Sequence, residues 1–167
     1  ARPWGLPGTP GLEHRVGGLE KWDSTGHVSY DPDNHQKMVE LRQQKVDIIA
    51  NDIPKCKIYG KGQGDLLVVG WGGTHGAIRS AVESAQSEGL SISHLHLRHL
   101  NPLPKDLGEI LVKFQKVMIP ELNLGQLAMI IRSKFLVNAI SFSKVQGKPF
   151  TQTEVYHKIT ELIKDMR

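Results

Sequence analysis

The sequence of 167 residues contains a single cysteine, Cys56. One thiol excludes an intrachain disulfide framework, a cysteine-built zinc site and an iron–sulfur cluster held by this chain alone. Long apolar runs are missing as well. The longest, Leu127 to Ile131, has five residues, far fewer than the ~20 needed to cross a bilayer, so no membrane partner is expected. Like charges never gather into a block, and the formal net charge is only +4. That balance fits a solvated surface better than a nucleic-acid-binding one. The chain starts at Ala1 without a charged-then-apolar leader, as a processed chain or a fragment would. One thiol and no export signal make the cytoplasm the expected compartment. The signatures G-x-x-x-x-G-K-[ST], G-x-S-x-G and H-E-x-x-H are absent, and Cys56 has no histidine at a spacing that suggests a nucleophile.

What is present reads as a globular protein. Apolar residues make up 39% and charged residues 23%, and a chain of this length buries roughly 70% of its unfolded surface. Ten of the first 33 residues are Gly or Pro, with no period of 2 or 3.6, so an irregular arm is expected over 1–33 and an α/β domain over 34–167. Asp31-Pro32 predicts a helix start, and Met38, Leu41, Ile48 and Ile49 predict one apolar face running to about Asn51. A short strand is expected at Lys55 to Tyr59. Asp65 to Trp71, D-L-L-V-V-G-W, has the continuous apolar character of a strand covered on both faces. A glycine turn follows it, then a helix with Ile78, Ala81, Val82 and Ala85 in register, then a strand at Ser91 to Arg98. Pro102 and Pro104 open a helix carrying Leu107, Ile110, Leu111 and Phe114. Strands at Lys116 to Ile119 and Val137 to Phe142 flank a helix with Leu127, Ala128, Ile131 and Phe135. Thr151 and Glu154 form a T-x-x-E capping box for the last helix. The alternation predicts a mostly parallel sheet between two helical layers, with right-handed crossovers.

Three constellations are candidates for function. Gly70, Gly72, Gly73 and Gly76 could leave backbone N–H groups free for a phosphate, or could simply let a helix pack on a strand. Arg98, where a dinucleotide fold carries an acid, would suit a 2′-phosphate. His94, His96 and His99 end a strand, the first two on one face, as a metal pair or as a polar strand end would be. Glu121, Asn123 and Gln126 sit where a strand gives way to a helix. They would either meet a partner or, for Glu121, complement the helix dipole.

Several stretches together resemble one family. Leu6 to His14, Gly17 to Glu20, and Thr25 through Asp31-Pro32 to Met38 look like the segment after the pyrimidine-binding domain in α subunits of 2-oxoglutarate:ferredoxin oxidoreductases. Leu67 to Gly72, His94 to Pro104, Pro120 to Leu127 and Lys144 to Phe150 continue the match. Leu97 to Leu103 is also similar to the L-R-x-L-x-P-L piece of transketolase C-terminal domains, and Glu121 takes the place of their V-E-E turn. The resemblance implies the domain II type of pyruvate:ferredoxin oxidoreductases: a three-layer α/β/α sandwich, transketolase-C-terminal-like, whose five-stranded sheet has an antiparallel first strand.

The resemblance further implies oxidative decarboxylation of a 2-oxoacid in a complex with thiamine diphosphate, Mg2+, iron–sulfur clusters and coenzyme A, with ferredoxin as acceptor. The present sequence departs from a whole enzyme. Gly62-Gln63-Gly64-Asp65 is not the G-D-G…N motif, and the cluster cysteines and the pyrimidine-binding domain are missing. No catalytic, cofactor-binding or metal residue is therefore expected here, and the chain alone should be inactive. Its expected partners are the β subunit and the pyrimidine-binding domain, with Arg98, Asn101, Glu121, Asn123 and Gln126 as the interface. The rival expectation is a free-standing NADP- or coenzyme A-binding Rossmann-like domain. A scaffold protein with no enzyme around it is a third.

Overall fold

The computed structural model describes residues 5–166, so the first four residues of the expected arm and Arg167 lie outside it. The chain divides into two compact units, Ala1–Ile49 and Ala50–Arg167. The expected division at residue 33 falls inside the first of them.

In the first unit, helix α1 (Pro32–Asp47) starts as its sequence predicts, with the Asp31 side chain accepting from the Asn34 N–H and proline in the first turn. The arm is irregular but anchored. Asn34, buried, donates to the Lys21 carbonyl at 3.0 Å. Glu20 accepts two bonds from Arg42, at 3.2 and 2.9 Å, and one from His35 at 3.0 Å. Those donors, Arg42 first and then the Lys21 backbone N–H, hold the Glu20 carboxyl down at about 2. Lys37 pairs with Asp23. The expected apolar face is only partly covered: Met38 is buried, whereas Leu41, Ile48 and Ile49 stay 41 to 55% exposed.

The second unit is the α/β sandwich. Its strands are β1 (Ile58–Tyr59), β2 (Gly64–Trp71), β3 (Ile92–Leu97), β4 (Phe114–Glu121) and β5 (Ala139–Ser143). They lie in the order β1-β3-β2-β4-β5, all parallel except β1, which runs antiparallel to β3. This is the arrangement the resemblance implies. Helices α2 (His75–Ser87) and α5 (Gln152–Lys164) cover one face, and α3 (Leu107–Leu111) and α4 (Gln126–Phe135) the other.

Strand β2 explains why two layers are needed. Its side chains alternate, so Leu66 and Val68 meet Ile78, Val82 and Ile159, while Leu67 and Val69 meet Leu107, Leu111 and Ile131. All four are fully buried, each contributing roughly 1.5–3 kcal/mol by burial. The Thr151–Glu154 capping box is present, with Thr151 N–H to Glu154 at 2.7 Å and the reverse bond at 3.2 Å.

Several boundaries differ from expectation, most by one or two residues. β1 is two residues, because only Ile58 and Tyr59 pair with β3. α3 stops at Leu111, and Phe114 begins β4. Phe114 packs in the same apolar cluster as Leu107 and Leu111, so helical spacing and strand entry placed it on the same side of the core. Pro120 lies inside β4 instead of ending it. Pairing with β2 stops at Met118, leaving only β5 beside the proline, a position that resembles an edge and tolerates a missing N–H. β5 begins at Ala139, two residues later than expected.

Candidate functional site

The carboxyl ends of the parallel strands form two neighbourhoods. The first lies where connections leave β2 and β4 towards opposite faces of the sheet, the switch point at which open α/β sheets hold ligands. Here it is filled by the protein itself. Glu121, wholly enclosed, accepts from the Leu127 and Ala128 N–H groups at 2.9 and 3.0 Å and so caps α4. The Trp71 indole N–H and the Asn123 amide each reach its Oε1 at 3.3 Å. A carboxylate at a helix start also meets the positive end of the dipole.

Of the two readings open for Glu121, the helix-start role is therefore what the geometry shows. As a direct interface contact it is corrected, since no part of it reaches the surface. Asn123 is half-buried, its Oδ1 accepting from Gly125 and Gln126 N–H at 2.7 and 3.2 Å. Gly125 sits at φ +88°, and a Cβ there would lie 2.6 Å from Ser141 Oγ. Gln126 is exposed.

The glycine turn after β2 is closed by Thr74, whose hydroxyl donates to the Trp71 carbonyl at 2.8 Å and accepts from the Trp71 N–H at 3.2 Å. A Cβ at Gly70 would come within 2.6 Å of Ile78 Cδ1 and 3.0 Å of Thr74 Oγ1. At Gly70, close helix–strand packing is reason enough for glycine.

The second neighbourhood is a cleft of about 420 Å3 beside β1 and β3. The predicted pair His94 and His96 lies here, ring centres 5.9 Å apart. His75, at the first position of α2, completes a cluster, 5.4 Å from His94 and 4.9 Å from His96. His99 and Arg98 also line the cleft, both exposed. Neither the His94 nor the His96 ring has a hydrogen bond among the described residues, and His94 Nε2 and His96 Nδ1 are enclosed without a partner there. Burial first, then the charges of His75, His96 and Arg79, press the His94 imidazole down to about 3. His96 is lowered for similar reasons, burial leading.

Among the described residues no group of His, Cys, Asp or Glu is placed to hold a metal ion. Cys56 is no nucleophile here: burial, then the Asp106 carboxylate, push its thiol up to about 12. Asn101 is exposed, next to the Pro102–Pro104 turn. Sequence reasoning missed His75 and the neighbouring Arg79 and Tyr59. The signal was available: β3 pairs with β2 in parallel, Trp71 beside Leu97, so the start of α2 must fall over the second half of β3.

Comparison with known proteins settles the family. The pyruvate:ferredoxin oxidoreductase core domain II family matches residues 64–155. The 2-oxoglutarate oxidoreductase subunit KorA of Mycobacterium tuberculosis is 47% identical over 93% of this chain and 24% of its own length. The chain belongs to this family. A 2-oxoacid:ferredoxin oxidoreductase α subunit from Aeropyrum pernix is 32% identical over 87% of the chain and 24% of its own length. A 2-oxoglutarate:ferredoxin oxidoreductase from Magnetococcus marinus, solved with 2-oxoglutarate, coenzyme A and succinyl-CoA bound, superimposes with a TM-score of 0.85. It is 31% identical over 96% of this chain and 28% of that one. A split-gene transketolase tetramer, 16% identical over 68% of this chain and 42% of that one, shares the fold at a TM-score of 0.54. The chain thus spans about a quarter of the length of the curated relatives it matches.

Membership in domain II displaces the rival reading of a free-standing Rossmann-like domain, and the filled switch point agrees with that. Among the described residues no helix is long and apolar enough to cross a membrane.

Proposed function

We propose that this domain is a packing element of the α subunit of a cytoplasmic 2-oxoglutarate:ferredoxin oxidoreductase. In the assembled enzyme 2-oxoglutarate is oxidatively decarboxylated to succinyl-CoA, with electrons passing to ferredoxin. The 47% identity with KorA over 93% of the chain carries this reading, and it favours 2-oxoglutarate over the pyruvate of the family's name.

The residues present do not fit the cofactors of such an enzyme. One cysteine whose thiol stays protonated cannot hold an iron–sulfur cluster, and among the described residues no group of His, Cys, Asp or Glu is placed to hold Mg2+. Mg2+ with its thiamine diphosphate and the clusters are therefore assigned to the rest of the complex. What this domain supplies is a rigid sandwich and surfaces that hold neighbours in register, the pyrimidine-binding domain and the β subunit first among them.

Arg98, Asn101 and Gln126 are exposed at the carboxyl ends of the strands and suit such contacts, with Asn123 shaping the loop from within. Leu124 and Met129 beside Gln126 are 81 and 61% exposed, more apolar surface than isolated side chains usually show. On the arm unit, Val16 and Tyr30 are each 84% exposed.

The test is reconstitution. Arg98→Glu in the complete complex should weaken subunit co-purification and lower 2-oxoglutarate-dependent ferredoxin reduction at least fivefold, with the isolated chain still folded. Unchanged assembly and turnover would remove Arg98 from the interface. Turnover of 2-oxoglutarate by this chain alone would sink the packing reading.

A further inference from the structure

The cleft beside β3 is built unlike the rest of the molecule. Two basic chains, Lys55 and Lys57, lead into it, Arg98 and His99 stand at its rim, and none of its lining residues is acidic. At its base the His75, His94 and His96 rings face one another, all within 6 Å centre to centre. His94 is only 2% exposed, and its Nε2, like His96 Nδ1, has no partner among the described residues. Enclosed polar atoms without partners are costly, about 1–3 kcal/mol each. Those two atoms are closed off by the protein itself, His96 Nδ1 against Gly70, so a ligand in the cleft would meet the opposite nitrogen of each ring.

The surroundings say what such a ligand is. A single 3-10 turn, Gly72–Thr74, runs straight into α2 at His75, so the N-terminal end of this helical segment, with its positive dipole end, lies beside the same cluster. Arg79, one turn along α2, is already engaged by Glu83 at 2.7 Å and lies over the Tyr59 ring at 3.0 Å. Arg98, by contrast, has no hydrogen bond or ion pair among the described residues. A cation would meet the like charges of Lys55, Lys57, Arg79 and Arg98 here, with no carboxylate in the lining to offset them. An oxyanion would meet imidazole N–H groups, a free guanidinium and a helix start.

We propose that this cleft is a binding site for a phosphate group, held by His75, His94, His96 and Arg98. It is separate from the switch-point crevice of dinucleotide folds, which Trp71 and Glu121 fill; it shares Arg98 with the packing surface given above, and the isolated chain, with no partner subunit present, tests it apart from that role. The bound anion would offset the burial and mutual repulsion that strip the proton from His94. The other groups facing His94 are Tyr59, its partner on β1, and Arg79 from α2, whose charge also favours an anion.

The experiment is a titration of the intact chain with inorganic phosphate at low ionic strength, followed by imidazole nitrogen NMR. Phosphate should move the His75, His94 and His96 ring signals saturably and leave those of His14, His27 and His157, remote in sequence from the cleft, in place. Arg98→Gln and His75→Gln, both at exposed positions, should each raise the half-saturating concentration at least fivefold with the amide spectrum preserved. Pyrophosphate binding more tightly than phosphate, with the same ring shifts, would identify a phosphoryl group carried on a larger molecule. Equal or weaker binding would identify free phosphate. Uniform shifts of all eight histidines, no saturation, or half-saturation unchanged in both variants would overturn the proposal.

Discussion

Two corners of the same sheet edge treat buried polar groups in opposite ways. At the switch point, Glu121 has a partner for each oxygen and is sealed by Trp71 and Asn123. In the cleft a few strands away, His94 is just as buried and has none. A satisfied carboxylate among main-chain donors rigidifies a loop. An unsatisfied imidazole cluster leaves hydrogen-bonding capacity for a ligand. The comparison separates a corner that stabilises from one that waits.

The largest effect should come from breaking the sealed corner. Glu121→Ala strands the Leu127 and Ala128 N–H groups and is expected to cost about 3 kcal/mol, read as a lowered urea midpoint of the α/β unit. Glu121→Gln, which keeps one acceptor, should lose roughly half of that. Next comes Gly70→Ala, which puts a methyl group 2.6 Å from Ile78 Cδ1. Overpacking of this kind costs about 1–3 kcal/mol, measurable by thermal unfolding, and an unchanged midpoint would show that α2 can shift.

The open corner should respond in the other direction. The folded value for His94, about 3, lies below its ordinary value of 6.5, so the unfolded chain binds the extra proton. Its contribution therefore counts against the fold as pH falls below about 6.5, growing until about 3. His94→Leu should stabilise by about 1–2 kcal/mol at pH 5 and much less at pH 8, in parallel urea titrations. Greater acid sensitivity in the variant would contradict the assignment.

The smallest effect belongs to the arm. Glu20 is lowered, so its bonds persist above its ordinary value of 4.5 and are lost as pH falls towards about 2. Glu20→Gln should speed proteolysis within residues 5–30 several-fold at neutral pH and leave the urea midpoint of the α/β unit where it was.

Much of this was legible in the residues. The β2 run, the α2 periodicity and the Thr151–Glu154 box each rest on a local rule that tertiary contacts do not override. The errors cluster where two rules coincide. Phe114 satisfies both a helical stripe and a strand entry, and Pro120 breaks a strand only if the neighbour on its N–H side needs that donor. Glu121 could be assigned to a place but not to one partner, because a charge at a helix start looks the same whether it turns inward or outward. His75 stood in plain view beside the glycine turn, yet its meaning depended on which strand lay next to β2.

The sequence alone determined which segments become strands and helices and which faces are apolar, because those properties follow from spacing along one chain. Only tertiary structure decided that Glu121 is enclosed and that His75 joins His94 and His96. Both outcomes depend on the order of strands in the sheet. Strand order brings together residues far apart in sequence, and burial and hydrogen-bond supply at such meeting points are properties of the assembled layers.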